Sequence, residues 1–398
     1  MLRAYKYRLY PNKAQEEYFA KCFGCVRFIY NRMLSDKIAY YQENKRQLYN
    51  TPAQYKDEFP WLREVDCLAL SNAQLFLERA FVQFFNCPSI GFPKFKTKKT
   101  NHHSYTTNNQ RGKSIRITDG KIRLPRIGFV KLRQHRKFEG VIRSVTISKV
   151  PSGKYFISIL VDAPAPTKLP PTDKSIGVDL GLQSFCITSD GCKVKNPSYL
   201  QRAEEKLIKL QRNLCRCKIG SANREKARVR YAKQYEKVVN QRKDFLHNIS
   251  KHFVDENQVI AIEDLSVQEL MQNRFLAKSI GDVSWSKFVR FLGYKCEWYG
   301  RDIIMVDRWF PSSQICSACG NRTEKKPLHI RNWSCPFCGA NHDRDINAAI
   351  NILNEALTTQ SVGTTRIACV NLFQSDIEQE ALMSSPLRNI LENNIRKE

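Results

Sequence analysis

The chain has 398 residues, with 65 lysines and arginines against 38 acids and a formal net charge of +27. That length accommodates two or three domains with substantial cores, and so large a basic excess points to a polyanion, usually nucleic acid. No apolar run approaches the ~20 residues of a spanning helix, and the start Met1-Leu2-Arg3-Ala4-Tyr5-Lys6 carries no apolar signal core. A soluble, cytoplasmic, nucleoid-associated protein without membrane contact is expected. The 14 cysteines are then mostly small apolar filler or metal ligands rather than a disulfide framework.

Near the start, Tyr5, Tyr7 and Leu9 alternate with Lys6 and Arg8 up to Pro11, which predicts a single strand. From Lys13 to about Phe85 the period becomes helical. Phe19, Cys22, Phe23, Val26, Ile29 and Tyr30 form one apolar face; Ala69, Ala73, Phe76, Leu77, Ala80 and Phe84 form another. Both faces read as core, and so does the Cys22/Cys25 pair. Pro88 and Gly91-Phe92-Pro93 end the helical run. A basic loop with Lys94, Lys96, Lys98 and Lys99 follows, then Asn101-His102-His103, read as loop polar residues. From about 104 to 162 alternation predicts β-structure, with a turn at Pro151-Ser152-Gly153. Pro164, Pro166, Pro170 and Pro171 mark a linker and the main boundary.

Beyond it, Ile176–Leu180 and Phe185–Thr188 flank a short turn. Residues 201–250 are helical, with 14 lysines and arginines against 5 acids. Gln258–Ile262 and Asp302–Val306 read as strands and Ile346–Leu357 as a helix. Strand hairpin, basic helices, strand, helix, strand, helix is the order of a ribonuclease-H-like α/β domain. The last 40 or so residues read as a polar, mobile tail.

Three acids fall at the ends of these elements. Asp179 lies in an apolar strand between Gly177 and Gly181, which allow close approach of backbone or ligand. Glu263 follows Val259-Ile260-Ala261-Ile262, and Asp345 precedes Asn347-Ala348-Ala349, near a helix start. Each alone is ordinary: a strand-closing acid, or a helix cap. Together they predict a carboxylate cluster that holds two Mg2+ ions against a phosphodiester, with Asp179 bridging. Asp264 and Asp343 are neighbours rather than first choices. Cys316-Ser317-Ala318-Cys319 and Cys335-Pro336-Phe337-Cys338 have structural zinc spacing, and four thiolates leave no open position for catalysis on one Zn2+. Lys206, Arg212, Lys218, Arg224, Arg228 and Arg242 on the basic helices are expected to meet phosphates, as are Lys94–Lys99 and Lys131, Arg133, Arg136 and Lys137. Tyr18 and Tyr105 are candidates for stacking on bases.

The sequence resembles the TnpB family, RNA-guided DNA endonucleases of insertion-sequence transposons related to type V CRISPR effectors. The resemblance covers nearly the whole chain. It rests on Tyr7-Arg8-Leu9-Tyr10-Pro11, Trp61-Leu62, Gly91-Phe92-Pro93-Lys94-Phe95, Gly177-Val178-Asp179, Asp244-Phe245-Leu246-His247, Glu263-Asp264-Leu265, Pro311-Ser312-Ser313-Gln314, both cysteine pairs and Asp343-Arg344-Asp345-Ile346-Asn347-Ala348-Ala349. It implies a multidomain α+β chain. A split N-terminal β-barrel, the wedge (1–13 and 101–165), would hold a helical recognition insert (14–100). After a linker (166–171) would come a RuvC-like nuclease domain (172–310 and 340–357), with an inserted zinc module (311–339) and a tail (358–398). It implies Asp179, Glu263 and Asp345 as catalytic carboxylates. The partners would be a guide RNA from the transposon end and double-stranded DNA cut beside a short motif, with the protein a monomer in the ribonucleoprotein. By family position, motif readers are expected at Tyr49, Asn50, Cys67, Ser71, Asn72, Thr106, Thr107 and Asn108. A nuclease-inactive RNA-guided repressor is the alternative, against which the intact acid triad argues.

Overall fold

The computed structural model describes residues 1–98, 103–327 and 329–361. Lys99, Asn101, His102 and the expected tail from 362 onward lie outside the described residues. The chain divides into two compact units, Met1–Ala165 and Pro166 onward. Among the described residues no helix is long and apolar enough to cross a membrane.

In the first unit, seven strands form one antiparallel sheet in the order β2-β6-β7-β1-β5-β4-β3. They are β1 (Leu2–Tyr10), β2 (His103–Asn108), β3 (Arg116–Thr118), β4 (Lys121–Leu124), β5 (Gly128–Arg133), β6 (Val141–Lys149) and β7 (Tyr155–Asp162). The alternation read in β1 puts Tyr7 and Leu9 in the core, while it pairs with β7 on one side and β5 on the other. Helices α1 (Lys13–Asn44) and α2 (Cys67–Asn86) are inserted between β1 and β2. Asn12 and Gln15 form a reciprocal capping box that starts α1. The apolar face of α1 packs on the sheet, with Phe19 against Tyr105 and Tyr155. The helical stretch is not continuous: residues 45–66 form turns and short 3-10 segments between the two helices. Cys22 and Cys25 are buried core thiols, and burial pushes their pKa values up to about 12 and about 11.

The second unit carries β8 (Ser175–Leu180), β9 (Ser184–Thr188), β10 (Lys193–Lys195), β11 (Val259–Glu263) and β12 (Asp302–Val306), in the order β10-β9-β8-β11-β12. Strands β8, β11 and β12 run parallel; β9 is antiparallel to both its neighbours. The basic region forms α3 (Tyr199–Arg216) and α4 (Ala222–Glu256), and Gly220, at φ +83°, lies in the turn between them. Short α5 (Val267–Leu270) and α6 (Ala277–Val283) lead to α7 (Trp285–Tyr299). Phe288, Phe291 and Leu292 of α7 and Leu246, Ile249 and Phe253 of α4 bury one sheet face with Ile176, Val178, Ile260 and Ile262. The other face packs Ala261 and Val306 against Ile352 and Ala356 of α8 (Arg344–Ser361). Burial on both faces explains the unbroken apolar run in β11. Helix α8 extends through residues 358–361, which the resemblance places in the tail. Between β12 and α8, the hairpin β13 (Asn332–Ser334) and β14 (Asn341–Asp343) belongs to the cysteine module.

Candidate active site and metal centre

Asp179 and Glu263 sit at matching heights on neighbouring strands. Ile262 pairs with Val178 in the parallel register, so each acid lies one step beyond the last paired position. Period-two alternation puts them on the face that Gly177 and Ala261 present to α8. Gly177 sets how closely α8 lies on β8: a Cβ there would stand 2.0 Å from the Ala349 carbonyl oxygen and 2.9 Å from Leu353 Cβ. The glycine thus admits the helix backbone. Asp345 precedes Ala349 by one helical turn on the same face, which brings its carboxylate toward the two strand acids.

The cap of α8 is Asp343, not Asp345. Its Oδ1 accepts the backbone N–H groups of Asp345 (3.1 Å) and Ile346 (3.2 Å), and Lys193 pairs with its other oxygen. Capping is therefore done by the neighbour, leaving Asp345 for other contacts. Arg331 donates to both oxygens of Asp345, at 3.0 and 3.1 Å. Asp264 points elsewhere and pairs with Arg308 at 2.8 Å.

Electrostatics ties the acids together. Burial, then the charges of Glu263 and Asp345, raises the pKa of Asp179 to about 8, with Arg344 and Arg331 opposing. Burial and Asp264 raise that of Glu263 to about 7. Such carboxylates suit a divalent cation, which relieves both desolvation and repulsion. Among the described residues, however, only the four cysteines bring three or more ligand atoms all within 4.8 Å of one another. The acids are set wider, with Asp345 held by Arg331.

The raised values have a measurable consequence. Folded Asp179 and Glu263 keep protons that the unfolded chain releases near pH 4, so their stabilising effect is full below that value. It is lost as pH rises through about 7 and about 8. In Mg2+-free buffer the melting temperature is expected to fall from pH 6 to pH 8.5, a window in which ordinary carboxylates are already ionised. Added Mg2+ is expected to stabilise more at pH 8.5 than at pH 6. A melting temperature flat across that window would contradict the clustering.

Cys316, Cys319, Cys335 and Cys338 converge, with Sγ separations of 3.7 Å for Cys316–Cys338 and for Cys319–Cys335. Four thiolates about 2.3 Å from one tetrahedral zinc would be about 3.8 Å apart, so the cluster fits zinc. Each pair is built the same way. Gly320 (φ +76°) and Gly339 (φ +72°) follow the second cysteines and donate back to the carbonyls of Cys316 and Cys335. His342 also approaches Cys316 Sγ, at 3.0 Å, and leans on Trp333.

Three buried residues of α8 to which the sequence assigns no role of their own hold this module. Asn347 accepts from the Ser317 N–H at 2.9 Å and donates to the Ile315 carbonyl at 2.7 Å. Asn351 donates to the carbonyls of Ser312 (2.8 Å) and Ile315 (2.7 Å). Arg344 donates to that of Pro327 at 2.9 Å. The signal was present: two asparagines and an arginine within an otherwise apolar helix face require buried partners.

The other predicted contacts divide. Cys67 and Ser71 are exposed one turn apart on α2, where Asn72 donates to the Thr106 carbonyl at 3.1 Å. Asp66 caps α2 and accepts from Thr107 Oγ1, which joins this turn to β2 and to neighbouring Asn108. Thr107 is fully buried, so it braces and cannot display. Asn50 is likewise buried and donates to Tyr55 Oη at 2.6 Å, next to Tyr49, which is 82% exposed. Lys94 and Lys96 are exposed, and the Lys96 ammonium lies 3.9 Å from the centre of the Tyr30 ring. Tyr105 does not stack on bases: it is buried against Phe19 and Phe23. Tyr18 is half-buried beside Phe19. Among the basic helix residues, Arg242 pairs with buried Asp282, Arg228 with Glu225, and Arg224 donates to the carbonyls of Leu214 and Cys217. These three hold structure, whereas Lys206, Arg212 and Lys218 are exposed.

A Streptomyces pristinaespiralis protein named "Putative RNA-guided DNA endonuclease" is 38% identical over 372 residues, covering 91% of each chain. The chain belongs to the TnpB family. InsQ of Escherichia coli K12, which carries the same description, is 28% identical over 94% of this chain and 95% of its own. Residues 158–274 match the family described as "Probable transposase", and 285–352 match "Cas12f1-like, TNB domain". Residues 1–46 match "Helix-turn-helix domain", although here they form one strand and one unbroken helix. The fold of this TnpB-family chain is similar to that of the protein in a Cas12f1–sgRNA–target DNA complex. The TM-score is 0.58 at 16% identity, covering 86% of this chain and 83% of that one.

Proposed function

We propose that the chain is an RNA-guided DNA endonuclease that hydrolyses double-stranded DNA beside a short transposon-adjacent motif, directed by a guide RNA from the transposon end. The observation that carries this reading is the placement of Asp179 and Glu263 side by side on β8 and β11, with Asp345 on the helix that Gly177 admits. The strand order, with β9 alone reversed, supports a ribonuclease-H-like, RuvC-type domain. The names of the relatives support RNA guidance.

Asp179, Glu263 and Asp345 would hold two Mg2+ ions. Bound there, the ions supply an activated water and stabilise the leaving 3′ oxygen. The residues themselves keep charge apart until then: Arg331 neutralises Asp345, and Asp179 retains a proton near neutral pH. The four cysteines would hold one structural zinc. Residues 1–13 and 101–165 would form the wedge around the insert 14–100, with Tyr49, Cys67, Ser71, Thr106 and Asn108 facing the motif and the buried Asn50, Asn72 and Thr107 bracing them. Lys94 and Lys96 would meet backbone phosphates. One copy would act in each ribonucleoprotein.

The test is co-expression with RNA from the downstream end of the gene, against a plasmid library with a randomised flank beside a fixed target. Depletion of one short flank is the expected result. Retained target binding without depletion would favour a repressor.

A further inference from the structure

Trp309 is 82% exposed and lies three residues beyond Val306, the register partner of Glu263. The turn beneath it is fixed on both sides. Its own N–H donates to Asp307 Oδ1 at 2.7 Å, and the Phe310 N–H donates to the Asp307 carbonyl at 3.0 Å. Arg308 is tied to Asp264, the residue after Glu263, and Phe310 packs against the apolar cluster under α8. The neighbours of Trp309 thus serve to hold the turn, while the indole stands in solvent just past β12, next to the strand that ends in Glu263.

We propose that Trp309 is a stacking platform for one base of the single DNA strand presented to the carboxylates, a reading that rests on the nuclease function above. In the guided reading, pairing of the guide RNA with one DNA strand leaves the other unpaired, and its bases have lost a stacking partner. An indole offers a broad π-face, and stacking accepts any base. A rigid turn restricts where that base sits, and therefore where the next phosphate falls. The residue acts as a positioning group for the scissile bond.

The test uses the full chain and a single-stranded oligodeoxynucleotide carrying 5-iododeoxyuridine, irradiated and mapped by mass spectrometry in the Asp179→Ala background. An adduct on the peptide containing Trp309 is expected. In the guided complex, Trp309→Ala is expected to slow cleavage about tenfold while target binding changes less than twofold, with Trp309→Phe restoring most of the rate. Adducts only at other residues, or an unchanged rate in Trp309→Ala, would overturn the proposal. An adduct at Trp309 with no cleavage by the wild type would uphold the stacking site and reject the nuclease reading instead.

Discussion

Asp179→Asn is expected to cut target DNA at least ~10³-fold more slowly than the wild type, a loss of about 4 kcal/mol of transition-state stabilisation. In Mg2+-free buffer it is also expected to melt at a higher temperature. The two effects have one cause. The wild-type carboxyl is buried beside Glu263 and Asp345, where its charge is unfavourable unless a cation is present. Asparagine keeps the shape and removes that charge, so the metal-free fold gains what the metal site loses. The gain should grow with pH, because the wild type loses stability as Asp179 ionises while the variant does not. Thermal melts at pH 6 and 8.5, beside cleavage and target-binding assays, check this. A variant that melts lower than wild type at pH 8.5 would place Asp179 in ordinary structural packing. A variant that still cuts would remove it from the site.

Cys335→Ser is expected to abolish bound zinc and cleavage while leaving the first unit folded. Within the described 311–343 segment the thiolates are backed by little apolar packing: a hairpin of two three-residue strands and a small cluster around Trp333. Zinc binding to such sites is worth on the order of 10 kcal/mol, far more than that cluster supplies. The loss reaches the acids because Asn347 and Asn351 tie the module to α8, and Arg331, which precedes β13, holds Asp345. Metal analysis should find one zinc per wild-type chain and none in the variant. Full cleavage by zinc-free protein would separate the module from catalysis.

Period two in β1 and period 3.6 in α1 exposed their buried faces directly, because one side of each element is core and the other is not. The cysteine spacing was legible because tetrahedral ligation demands it. The burial of Tyr105 was not legible: a tyrosine in a polar strand looks the same whether it faces solvent or α1. Nor was the division of labour in Asp343-Arg344-Asp345, where three charges in a row take three roles: cap, module anchor and cluster member.

The sequence alone makes candidates of three acids at the ends of apolar elements, four cysteines in two matched pairs, and a basic excess suited to nucleic acid. That the acids lie near one another follows from the packing of the sheet against α8. The parallel register of β8 and β11 levels Asp179 with Glu263, and the missing Cβ of Gly177 lets α8 come close enough to add Asp345. Distances between segments some 80 residues apart depend on packing, and local periodicity carries no information about them.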